Sequence, residues 1–145
     1  MVRTIFKSKT SRVNRAATAV APSDASAYCR DLDNWPRSWM GLEKDLPPGA
    51  ELVACLRPFI EHLVSSSLSP KTIRQHVDNL WTLGGEIIRD LNYTPSLRKV
   101  AAQRLLRDAV HADGGPLIHN GSEEAQRSLD ATCRKLHRFL SQPQR

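Results

Sequence analysis

The sequence predicts an all-α fold, a compact bundle of four to five helices with a flexible basic arm at its N-terminal end. Three observations carry that prediction. Apolar residues recur at i, i+3, i+4 and i+7 through most of the chain after position 50. Helix-start signals stand ahead of those stretches at Ser69-Pro70, Thr94-Pro95 and Ser122. The first 27 residues are polar, basic and rich in Ser, Thr and Ala, with no periodic apolar face. At 145 residues the chain is one domain long, and its 40% hydrophobic content suits a core of about a hundred residues.

Residues 1–27 hold Arg3, Lys7, Lys9, Arg12 and Arg15 against Asp24 alone. Such a segment buries too little surface to offset its ordering entropy, so a disordered arm is expected there. It serves either as a solubilising tail or as an electrostatic arm that follows phosphates. Residues 28–50 read as a strap laid across the helices, with Trp35-Pro36, Trp39-Met40 and Leu42 ahead of Leu46-Pro47-Pro48-Gly49. Pro36 should hold Trp35 extended, a short helix fits between Arg37 and Lys44, and the Pro-Pro-Gly run should exclude helix. Trp35 and Trp39 read as packing residues, with ligand stacking as the alternative.

Residues 51–142 form the expected helical domain. A first helix covers about Glu51 to Ser65 through Leu52, Val53, Leu56, Phe59, Ile60, Leu63 and Val64, with a kink expected at Pro58. A second runs from Pro70 to about Leu91, with Ile73, Val77, Leu80, Trp81, Ile87 and Ile88 inward and Ser69 as its cap. Gly84 lies on the same face and Gly85 one position round. Each glycine costs about 1 kcal/mol in a helix, so the pair implies close approach of another helix or a bend. A third helix opens at Thr94-Pro95, turns Leu97, Val100, Ala101, Leu105 and Ala109 inward, and ends before Gly114. Leu117-Ile118 suits a short extended segment, and a fourth helix begins near Ser122 and continues through Leu129, Cys133, Leu136, Phe139 and Leu140.

The break, Ser69-Pro70-Lys71-Thr72-Ile73, helix arrangement resembles the N-terminal core-binding domain of tyrosine recombinases, the phage integrase family. That SAM-like helical domain presents S-x-x-T-I and then a helix that lies against DNA. The resemblance spans roughly Glu51 to Gln142 and implies a DNA-binding role for the exposed positions Lys71, Thr72, Arg74 and Gln75. Lys71, Arg74 and Gln75 are suited to phosphates and base edges, whereas Asp78 on the same helix repels phosphate. Arg98 and Lys99, on the third helix, extend the expected contact. The alternative for each is an ordinary solvated helix face.

The family's catalytic domain has no counterpart here. None of the histidines at 62, 76, 111, 119 and 137 has Arg three places later, so no catalytic residue is assigned and no enzyme is expected. Cys133 and His137 share a helix face at i, i+4, with Cys29, His111 or His119 as further ligands, but buried cysteine explains Cys133 better than zinc. No metal or cofactor is expected. Three widely spaced cysteines without C-x-x-C suit a reducing compartment, and a cytoplasmic location is expected. No apolar run is long enough to span a bilayer, and Ala19-Val20-Ala21 is too short for a secretory signal.

The net charge of +6 is uneven. Residues 1–27 and 95–145 each carry +4, while 28–50 and 51–94 each carry −1. Two functions fit. The first is a non-catalytic protein that binds double-stranded DNA through basic helix faces and the arm. The second is a helical module for a protein partner with no nucleic-acid role, which the near-neutral middle favours.

Overall fold

A computed structural model describes residues 28–29 and 31–143. The expected arm, residues 1–27, lies outside them. The described residues form five α-helices and no strand: α1 (Trp35–Trp39), α2 (Leu46–Val64), α3 (Pro70–Tyr93), α4 (Ala102–Ala109) and α5 (Glu123–Ser141). A short 3-10 turn at Leu32–Asn34 leads into α1, and two more, Glu43–Asp45 and Pro95–Lys99, join α1 to α2 and α3 to α4. The all-α bundle expected from the apolar periodicity is therefore the fold.

The core is built where the two long helices meet. Leu52, Leu56, Phe59, Ile60 and Leu63 of α2 face Ile73, Val77, Leu80, Leu83, Ile88 and Leu91 of α3, and all are buried. Leu129, Cys133 and Leu136 of α5 close one side, and Ala102, Leu105 and Leu106 of α4 pack on α2. Ser69 caps α3 as expected: its hydroxyl accepts from the Thr72 amide at 3.2 Å. Ser122 does the same for α5 through the Ala125 amide at 3.0 Å.

Four expectations need correction. Helix α2 begins at Leu46, so Pro47-Pro48-Gly49 forms its first turn. First-turn amides have no partner inside the helix, and proline loses nothing there. Trp35 is helical (φ −55°, ψ −43°), and the short helix spans Trp35–Trp39 and not Arg37 to Lys44. Burial of Trp35 and Pro36 against α2 outweighs the pre-proline preference for extended backbone. The third predicted helix is split into the 3-10 turn Pro95–Lys99 and α4, with an extended break at Val100 and Ala101. That break shifts the stripe: Ala101 is exposed and Ala102 and Leu106 are buried, while Leu105 is buried as expected. At Pro58 no new helix starts: α2 runs through as one helix, in keeping with its unbroken apolar stripe.

Gly84 admits a side chain of another helix, Trp39 of α1. The Trp39 ring lies on it, and a Cβ at Gly84 would overlap the indole. The Trp39 Nε1–H donates to the Trp81 carbonyl at 2.9 Å, and the Trp81 Nε1–H donates to the Ser38 hydroxyl at 2.8 Å. These two bonds lock α1 across α3. Trp35 is buried, so Trp35 and Trp39 are packing residues of the strap.

Gly84→Leu should destabilise the chain by about 1–3 kcal/mol, because the indole must leave its seat. A Cβ at Gly85 would sit 3.4 Å from Trp39 Cδ1, so Gly85→Ala should be tolerated. Denaturant melts of the two variants check the difference, and wild-type stability for Gly84→Leu would contradict it.

Candidate nucleic-acid interface

The six sequence-predicted residues fall into two groups at opposite ends of α3. Lys71, Thr72, Arg74 and Gln75 occupy its first two turns. Lys71 and Arg74 are exposed, whereas Thr72 is half-buried and its hydroxyl accepts from Ser69 at 3.0 Å. The Arg74 guanidinium lies 5.7 Å above the Tyr28 ring, where the described chain begins. Gln75 leans the other way and donates through Nε2 to the Ser128 hydroxyl at 3.2 Å. Asp78 stands toward the strap, where its charge acts on the Cys29 thiol.

Arg98 and Lys99 belong to the far end. Arg98 is tied to Asn92, 21 residues beyond Lys71, which is about 30 Å along a helix. Its guanidinium donates to the Asp45 carboxylate at 2.7 Å, to the Asn92 side chain at 3.0 Å and to the Lys44 carbonyl at 3.4 Å. Asp45 is 0% exposed, and its other oxygen accepts from the Gly41 and Leu42 amides at 2.8 and 2.9 Å and from Asn92 at 3.2 Å. Burial alone would raise the Asp45 pKa. The Arg98 bond, the two amides and Asn92 outweigh it and hold the group at about 2. Arg98 thus closes a structural latch, while Lys99 is an exposed cation beside it.

Between the two ends, α3 meets α5 through a polar seam that the sequence reading missed. The Asn79 amide nitrogen lies 3.0, 2.9 and 2.8 Å from the Ser128 carbonyl, the Ser128 hydroxyl and the Thr132 hydroxyl, which share its two hydrogens. His76 Nδ1 lies 2.7 Å from the same Thr132 oxygen. Polar residues interrupting two apolar stripes, at 79 and 132, were the available signal. Lys135 also comes close enough to act on His76.

Among the described residues, no group of three or more His, Cys, Asp and Glu side chains could hold a metal ion. Cys133 is buried, and burial with the nearby Asp130 charge pushes its thiol up to about 12. No described helix is long and apolar enough to cross a membrane. Comparison of the chain with protein-family models, with curated proteins and with solved structures finds no match.

Because Arg98 neutralises a buried charge, Arg98→Ala should cost about 3 kcal/mol in a urea melt. Lys71→Ala should stay within about 0.5 kcal/mol of wild type. The Asp45 carboxyl is depressed below its ordinary 3.8, so its contribution is complete above that value and is lost as pH falls toward 2. Acid titration of stability should show a loss of about 2 kcal/mol from this group, and the Asp45→Asn variant should lack it.

Proposed function

We propose that this protein binds duplex DNA without acting on it chemically, as a counterpart of the integrase core-binding domain it resembles. Lys71 and Arg74 meet phosphates from the start of α3, with Gln75 beside them on the flank toward α5. The supporting observation is the position of Tyr28 beneath Arg74. The basic segment 1–27, with five cations against one acid, immediately precedes Tyr28 in the chain. Helix charge and arm charge can therefore act on one stretch of backbone. Arg98 is committed to Asp45, and Lys99 lies beside it in the turn after α3, so neither is required for this contact.

A second reading draws on a different observation. Met40, Leu42, Tyr93 and Leu117 are large apolar side chains left exposed, Tyr93 by 72% and Leu117 by 83%. Exposed aromatic and apolar groups suit a protein partner.

The DNA reading is tested by binding to a duplex over a range of salt. Affinity should fall steeply with salt as phosphate neutralisation releases counterions. The Lys71→Ala/Arg74→Ala double variant should bind more weakly and lower the slope by about two ions. Deleting residues 1–27 should leave the melting midpoint nearly unchanged while weakening binding. A truncated protein with no affinity at low salt would favour the partner-binding module.

A further inference from the structure

We infer that the seam between α3 and α5 is a proton-sensitive clasp, closed while the His76 ring is neutral and loosened when the ring takes up a proton. The hydrogen-bond directions lead there. Asn79 lies 3.0 Å from the Ser128 backbone carbonyl, which can only accept, so the amide nitrogen must face α5. That nitrogen then donates to Thr132 Oγ1 as well. With one lone pair occupied, the Thr132 hydroxyl turns its hydrogen to His76 Nδ1, its acceptor among the described residues. Nδ1 therefore carries no proton, and the neutral ring is the Nε2–H tautomer.

Protonation reverses this arrangement. An Nδ1–H would also donate to Thr132 Oγ1, and the Thr132 hydrogen would lose its acceptor at a residue that is 0% exposed. A buried donor left unpaired is unfavourable. The new charge also faces Lys135 on α5. The Asp130 carboxylate of α5 is turned to the Gly115 amide and Gln126. His62 of α2 packs against Phe139, two turns along α5 from Thr132, and Lys71 is more than a turn ahead on α3. Asp78 acts on Cys29 at the strap.

Burial first, then the Lys135 ammonium, lower the His76 pKa from its ordinary 6.5. The folded chain then holds fewer protons than the unfolded chain just below 6.5. Stability from the clasp is complete above that value and is lost as pH falls through the folded pKa. The clasp includes Gln75 and so touches the proposed DNA surface, but it stands whether or not that surface meets DNA.

Imidazole nitrogen NMR on the full-length protein tests it. His76 should appear as the Nε2–H tautomer and titrate below 6.5, with the Ser128 and Thr132 amide shifts following the same midpoint. Lys135→Gln should move that midpoint upward. In urea melts at about pH 7.5 and about pH 5, His76→Asn should lose less stability on acidification than wild type, since Oδ1 keeps the acceptor without titrating. An Nδ1–H tautomer, a midpoint at or above 6.5, or α5 amides that do not follow the ring would overturn the inference. If His76→Asn fails to fold, the wild-type and Lys135→Gln titrations still decide.

Discussion

The carboxylate of Asp45 ties four segments together at one point. It accepts from the Gly41 and Leu42 amides of the strap and stands at the start of α2. It also accepts from Asn92 near the end of α3 and from Arg98 of the following turn. A fully buried charge is tolerable only when paired and hydrogen-bonded, and each of these partners contributes to that condition. The geometry is therefore demanding. Moving the strap, the end of α3 or the Pro95–Lys99 turn would leave a charge in the interior without its partners. No buried side-chain polar atom among the described residues lacks a hydrogen-bond partner, and this latch is where that requirement is most exacting.

Helix α3 is the common support, and its two flanks are joined by different physics. Toward the strap the contact is shape: a flat indole seated on a position with no side chain, with two indole N–H groups pinned at 2.9 and 2.8 Å. Toward α5 it is direction, through the Asn79, His76, Ser128 and Thr132 bonds. Apolar packing alone tolerates sliding of one helix along another. A set of donors and acceptors that must all be matched does not, so the seam sets the register of α5 on α3.

The latch also sorts the cations. Arg98 and Arg74 look alike in sequence, each a basic residue near a helix start. One has its charge matched by a buried carboxylate, while the other lies over a Tyr ring at the surface. Only cations of the second kind keep their charge available for a partner. The neutral middle of the chain, −1 in each of residues 28–50 and 51–94, accordingly says less about binding than the few exposed groups do.

Local sequence determined the helices, the Ser69 and Ser122 caps, the core stripe of α2 and α3 and the need for a small residue at Gly84. Each follows from side-chain spacing or from the free amides of a single turn, which act within a few residues. Tertiary structure decided the rest. The apolar stripe from Leu97 to Ala109 was readable, but its phase changes at Val100–Ala101, because Ala102, Leu105 and Leu106 are the residues that reach the core. The reason for Gly84 lay 45 positions away, in Trp39. Asp45 resembles any acid ahead of a helix until Arg98, 53 residues later, is seen beside it. Whether a charge is a surface feature or a structural one depends on what the fold brings to it, and spacing along the chain carries no record of such long-range partners.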